Sequence, residues 1–342
     1  MLLRYIGRRV AVSIVQLLGL VVVVFFLIRL MPADPVARLV GLNASKEAYA
    51  QASHSLGLDQ PLLTQFLQYF GLDGRGGGLL EGHLGVSWVT NGSVLTEIGQ
   101  TLPVTIQLLT LSFIITLLIA VPVGIAGASR PGGAFDRGVF VYGLFGGSQP
   151  EFWWGLMFIF VFFFKLGIAP APLGLVNPMD MPSEPITGFI LLDSLLRGEF
   201  DVFLDVLWHL ALPTLTLVFI LSGPIIKMVR QNMVRALGSD FVLYARAAGL
   251  RESTVTRYAF RIALAPALTL VGILYGVMLG GAVLVETVFS LGGIGQYAVR
   301  AVLAFDYPAI QGVVLVITSI SLGIYLVLDL VYAVIDPRVA RS

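Results

Sequence analysis

The chain has 342 residues, 57% of them hydrophobic and 12% charged, with a mean hydropathy of +0.91 and a formal net charge of +1. Soluble domains carry about 25% charged residues, so half the usual solvating charge is missing and a water-soluble globular fold is excluded. The absence of cysteine excludes a disulfide framework, a thiolate nucleophile and a cysteine-based metal site.

Taken in chain order, six stretches are long enough to cross about 30 Å of hydrocarbon, which takes about 20 residues of helix. The first, Val10–Leu30, follows basic Arg4, Arg8 and Arg9. It is too long for a signal peptide, and the turn Met31-Pro32-Ala33-Asp34 stands where a small-residue cleavage site would be. The polar segment 31–101 then predicts a helix over 46–56, a turn at Gly57-Leu58-Asp59-Gln60-Pro61, a second short helix over 62–69, and a glycine-rich tip over 71–78. Spans two and three are Leu102–Ile125 and Gly138–Lys165. A loop over 169–205 is rich in proline and acid (Asp180, Glu184, Asp193, Glu199, Asp201, Asp205) and reads as a solvated face. Spans four, five and six are Val206–Lys227, Ile262–Val285 and Ala309–Ala333.

Charge orients these spans. With the N-terminus inside, the inner segments 1–9, 126–137, 227–261 and 334–342 hold fourteen of the twenty-one Lys and Arg, while fourteen of the twenty acids lie outside. Basic residues concentrate on the cytoplasmic side, so both termini are expected there. The inner segment 228–261 differs from the rest of the chain. Gly238-Ser239-Asp240 is a helix start, and Gly249 suits the left-handed position that closes a short helix, with Leu250 supplying the apolar contact after it. A second helix begins near Arg251-Glu252-Ser253 and leads into span five. Seven basic groups from Lys227 to Arg261, beside apolar Phe241, Val242, Leu243 and Tyr244, suit a protein partner better than anionic headgroups.

Single residues within the spans carry further expectations. Glu151 falls near the middle of span three, between the kinking Pro150 and Phe152, with Gln149 close by; a charge there costs on the order of 3 kcal/mol, so a pathway lining is weighed against a packed carboxyl. Glu286, at the outer end of span five, is read either as a gate residue or as an ordinary interfacial carboxylate. Gly272, Gly276 and Gly280 recur every four residues and form a packing face, against this chain or another. His54, His83 and His209 stand in separate segments without the spacing of a metal site, and no phosphate-binding loop is present.

Tyr244-Ala245-Arg246-Ala247-Ala248-Gly249-Leu250 followed by Ala263-Leu264-Ala265-Pro266 resembles the Glu-Ala-Ala loop of ATP-binding-cassette importer permeases. Further segments are similar to the dipeptide/oligopeptide/nickel permease family: Met31-Pro32-Ala33-Asp34-Pro35, Leu56-Gly57-Leu58-Asp59-Gln60-Pro61, Gly82-His83-Leu84-Gly85-Val86-Ser87 and Thr101-Leu102-Pro103-Val104-Thr105. Pro150-Glu151-Phe152-Trp153, Val285-Glu286-Thr287-Val288-Phe289, Asp306-Tyr307-Pro308 and Asp336-Pro337-Arg338 complete the series over nearly the whole chain, which most resembles the first permease of the pair. The family's glutamate is Arg246 here, so an argument from that carboxylate does not transfer.

The resemblance implies an all-α integral membrane bundle of six transmembrane helices with a helical extracytoplasmic loop after the first span. It implies a single permease domain over 1–342 that forms half of a peptide pathway across the plasma membrane of a bacterium or archaeon. The implied partners are a second homologous permease, one or two cytoplasmic ATPase subunits, an extracytoplasmic binding protein and the lipid bilayer, with no nucleic acid. No cofactor is expected on this chain; ATP and magnesium would sit on the ATPases. The helix carrying Asp240, Tyr244, Arg246, Ala247, Ala248, Gly249 and Leu250 would couple to an ATPase, and Gln149, Glu151 and Glu286 would line the pathway. Nickel or glutathione would be alternative cargoes of the same class. The rival class is a stand-alone secondary transporter or channel, which would need no basic coupling loop and would more often carry several ionisable groups at membrane depth.

Overall fold

The first apolar run forms α1 (Leu2–Leu30), whose exposed Val15, Leu18, Val23 and Leu27 suit a lipid surround. In this computed structural model, residues 2–335 are described other than 42, 75, 147 and 178–183, with side chains at all of these except 2–5, 264–271 and 331–335. Asp180, the terminal Asp336-Pro337-Arg338 and the side chains of Leu264, Ala265 and Pro266 therefore lie outside the described residues, as do the side chains that close span six. Short helices α2 (Pro35–Val40), α3 (Lys46–Ser55) and α4 (Leu62–Phe70) follow, with α3 and α4 where the capping and turn residues place them. Asp34 caps α2 by accepting from the Ala37 N–H at 2.9 Å and also accepts from the Tyr49 hydroxyl, which ties α2 to α3.

The long helices are α5 (Val94–Ser129), α9 (Phe200–Leu237), α11 (Glu252–Phe289) and α13 (Tyr307–Ile335). Between them stand α6 (Ala134–Gly146), α7 (Glu151–Phe158), α8 (Ile190–Arg197), α10 (Asp240–Ala247) and α12 (Ile294–Ala304). Every regular element among the described residues is helical; Val86 and Ser93 form one isolated bridge. By length and composition, five helices qualify as membrane spans: those at Ile6–Leu30, Val94–Ser129, Phe200–Leu237, Gly272–Phe289 and Tyr307–Leu330.

The third expected span departs from expectation. It is two helices, α6 and α7, and the latter runs on into a π-helical segment at Ile159–Lys165. The break falls where Gly146, Ser148 and Pro150 stand. Proline has no N–H to give the preceding turn, and glycine and serine hold a helix weakly there. Here α6 leans on α9: the Tyr142 hydroxyl donates to the Phe219 carbonyl at 2.8 Å, and Trp154 packs its ring 4.5 Å from that of Phe219.

Helix α9 is central, packed against α5, α6, α7, α8 and α11, while α1 packs on α13 at the periphery. The main core joins Leu108, Leu109, Leu210, Leu217, Met278, Val285 and Phe289. A second core, at one end, joins Ala128, Ile226, Met233, Val242, Ala245, Val255 and Ala259; a third, at the other end, joins Leu84, Val94, Ile98, Ile294, Ala309 and Val313. The expected loop 228–261 is shorter than its sequence suggested, because α9 continues to Leu237 and carries Arg230 and Arg235 on its last turns. Arg230 reaches Asp136 with two of its three nitrogens, Nε and Nη2, the latter at 2.7 Å, and Asp136 also accepts from the Gly132 N–H, which fastens the start of α6 to the end of α9.

Candidate coupling face and pathway residues

Helix α10 is an eight-residue cylinder with two unlike faces. Val242 and Ala245, three residues apart, are buried in the core at the α10 end of the bundle. Leu243 and Tyr244 point away, 69% and 77% exposed, and Asp240, Arg246, Ala247, Ala248, Gly249 and Leu250 are exposed with them. Ser239 has the extended backbone of an N-cap, although its hydroxyl donates to the Ala236 carbonyl and not to α10. At the far end Gly249 takes φ +76°. Its N–H donates to the Arg246 carbonyl at 3.0 Å and the Leu250 N–H to the Ala245 carbonyl at 3.2 Å, the paired bonds of a Schellman closure.

The departure at position 246 has a local explanation. Arg246 makes two bonds to Glu252, Nε to Oε1 at 2.8 Å and Nη2 to Oε2 at 3.1 Å, across the elbow between α10 and α11. The guanidinium holds the Glu252 carboxyl below its ordinary range. An exposed pair adds little stability; it joins the end of α10 to the first turn of α11.

Glu151 stands in the first turn of α7, not at the middle of a continuous span as expected. Its carboxylate lies against α11 at Gly281, where an added Cβ would sit 2.9 Å from Oε1. A carboxylate at a helix N-terminus is favoured by the peptide dipoles, which lowers the cost that a mid-helix position would impose. It is half-buried, Gln149 beside it is exposed, and Pro150 is the N-cap of α7. If Glu151 meets cargo, Glu151→Gln is expected to depress transport several-fold in proteoliposomes while basal ATP hydrolysis and assembly persist. Wild-type transport by that variant, with poor assembly of Glu151→Leu, would mark it as a packing residue.

Glu286 is fully buried and so is not an ordinary interfacial carboxylate. Thr105 donates its hydroxyl to Oε1 at 2.5 Å, Oε2 accepts from the Gln296 N–H at 3.1 Å, and Thr105 Oγ1 accepts from the Ile294 N–H at 2.9 Å. The pair thereby satisfies the free N–H groups at the start of α12. Gly293 and Gly295 permit this approach, since a Cβ at either would collide with the Glu286 carboxyl.

The expected glycine face resolves in part. A Cβ at Gly272 would overlap Leu328, and one at Gly276 would overlap the Tyr325 hydroxyl, so these two pack against α13 of the same chain. Gly280 has open space around it and is not part of that contact. The motifs that carry the resemblance also meet one another. Asp306 accepts from the Ser87 hydroxyl at 2.5 Å and the Trp88 N–H at 3.2 Å, and Gly85 lies against Pro308.

Sequence reasoning missed Asp136–Arg230, Glu97 and the hold of Asp193 on the turn before α8. Glu97 accepts from Tyr297 at 2.6 Å and from Thr90 at 2.5 Å. Burial works to raise the Asp193 pKa, but bonds from the Thr187 hydroxyl and the N–H groups of Thr187, Gly188 and Ile186 outweigh it and hold the group ionised, so this acid is not part of a solvated face. Asp193 lies in the first turn of α8, and its hold on the preceding turn was concealed by the acidic composition of the segment.

The structure is a bundle of apolar helices of membrane-spanning length, in which one face of the short helix α10 is buried in the core while Leu243 and Tyr244 are exposed. Residues 120–341 match the family described as binding-protein-dependent transport system inner membrane component, and residues 2–109 match the N-terminal component of the same systems. The chain belongs to this family. It is 37% identical over its full length to the whole di/tripeptide transport system permease protein DppB of Pseudomonas aeruginosa. It is 34% identical, again over both full lengths, to the dipeptide transport system permease protein DppB of Escherichia coli K12. Over 95% of this chain and 94% of the relative, it is 38% identical to the probable D,D-dipeptide transport system permease protein DdpB of the same strain.

Proposed function

We propose that this chain forms one half of the translocation pathway of an ATP-driven peptide importer. It pairs with a second homologous permease, one or two ATPase subunits dock on α10, and an extracytoplasmic binding protein delivers cargo to the opposite end. Both termini lie in the cytoplasm, and α6 with α7 makes a sixth, broken crossing. The observation that carries this reading is the bare Leu243–Tyr244 face of α10, anchored from behind by fully buried Val242 and clamped by the Gly249 closure. A hydrophobic patch of that kind on a rigid element marks a protein contact. The names of the full-length relatives support peptide as cargo.

In outline, the binding protein presents the peptide at the end of the bundle that holds α12. Closure of the ATPase pair pushes on α10, and the push reaches α9 and α11 through Val242, Ala245, Val255 and Ala259, which share one core. The permeases then rock between outward- and inward-open arrangements, a rigid-body change of the kind that packed helices support. The test is uptake of a radiolabelled dipeptide into proteoliposomes that hold the complete complex, with binding protein on one side and ATP on the other. Uptake that needs both additions is expected. Uptake without ATPases would overturn the importer reading, and uptake of nickel or glutathione in place of dipeptide would overturn the cargo.

A further inference from the structure

The start of α5, the loop before it and one face of α12 border an open cavity of about 300 Å³, lined among others by Thr90, Glu97, Thr101, Tyr297, Arg300 and Ala304. That volume is at the small end for ligand sites. Tyr297, Arg300, Ala301 and Ala304 follow the i, i+3, i+4, i+7 spacing of one helix face, and the two alanines leave the space open.

The cavity brings together opposite charges that do not neutralise each other. Glu97 receives two hydroxyl donors, Tyr297 and Thr90, which orient its carboxylate without cancelling its charge. Burial, with the adjoining carboxylate, pushes the Tyr297 hydroxyl well above its ordinary range, so it stays a donor. Arg300 lines the same cavity and forms no ion pair with Glu97 or any other described acid. Asp306, the other acid in the lining, already accepts from Ser87, Trp88 and Ala309 and is nearly fully buried, so it serves as wall. The helix that carries Arg300 is fixed at its N-terminus by the buried Thr105–Glu286 pair.

We propose that this cavity is a transient subsite for a short peptide in its zwitterionic form, the α-ammonium on Glu97 and the terminal carboxylate on Arg300. The proposal rests on the peptide-importer reading. A free dipeptide carries both charges at the ends of two residues, each spanning at most about 3.6 Å, and a cavity lined by one acid and one base offers a partner to each charge. Arginine suits a carboxylate through its planar fork of donors.

The test uses the complete importer in proteoliposomes with saturating binding protein and labelled dialanine, reading peptide taken up per ATP hydrolysed. Glu97→Gln and Arg300→Gln are each expected to lower that ratio about tenfold, the scale of one lost bond to a charged group. Glu97→Asp and Arg300→Lys, which keep the charges, should restore much of it. ATP hydrolysis stimulated by peptide-free binding protein should stay at the wild-type level. A fall in that stimulation with the uptake ratio unchanged would identify a docking surface for the binding protein and overturn the subsite, as would a wild-type ratio in both glutamine variants. A wild-type importer that takes up no dialanine at all would fail the peptide reading itself, a separate result visible before any variant is made.

Discussion

Gly249→Val is expected to uncouple the permease: peptide-stimulated ATP hydrolysis by the complex should drop roughly five- to thirty-fold while the chain still inserts and assembles. Gly249 sits at φ +76° with nothing within 4 Å of where a Cβ would stand, so the penalty comes from the backbone and not from a clash. A left-handed conformation costs an L-residue about 1–2 kcal/mol, which corresponds to a factor of roughly 5–30 in a conformational equilibrium, and a branched valine is at the upper end. Released from that conformation, the Gly249 and Leu250 N–H groups lose the Arg246 and Ala245 carbonyls, and the exposed Leu243–Tyr244 face turns relative to α11. Gly249→Asn, which tolerates the left-handed region, should retain most of the stimulation. Wild-type stimulated hydrolysis in Gly249→Val, with normal copurification of the ATPases, would count against a coupling role for α10.

Glu286→Leu is expected to have the largest effect on stability. Leucine removes both acceptors from a site with no solvent access, leaving the Thr105 hydroxyl and the Gln296 N–H unpaired. Each unpaired buried group costs about 1–3 kcal/mol, so the loss should be several kcal/mol and the melting temperature of the detergent-solubilised chain should fall sharply. Glu286→Gln keeps one carbonyl acceptor for Thr105 but turns an amide N–H toward the Gln296 N–H, so an intermediate loss is expected. Intrinsic-fluorescence melting of both variants decides the matter; a wild-type melting curve for Glu286→Leu would show that α12 does not depend on this carboxyl. Because α12 also presents Tyr297 and Arg300 to the α5 side, the same change should disturb the opposite-charge cavity.

Much of the architecture follows from rules that act over a few residues. The membrane class rests on the mean hydropathy and the missing charge, and five of six expected spans appear as helices of sufficient length because apolar run length is a local quantity. Helices α3 and α4, the start of α10 at Asp240 and the left-handed Gly249 were legible for the same reason: a cap, a turn or a positive φ is decided by neighbours in the chain.

Tertiary structure decided what hydropathy does not record. Lipid and protein interior are similarly apolar, so periodicity gave no direction to Gly272 and Gly276, which pack on α13, or to Gly280, which does not. The third expected span kept its hydropathy across Gly146 and Pro150 while its helix broke, and the helices on either side pack on α9 through Tyr142 and Trp154, contacts that the span's own residues do not reveal. Glu286 read as an end-of-helix acid until residue 105, 181 positions away, supplied its partner. Ser87–Asp306, Asp136–Arg230 and Glu97–Tyr297 are likewise pairs between distant segments. A buried polar side chain is placed by the partner that satisfies it, and only the folded chain brings that partner near.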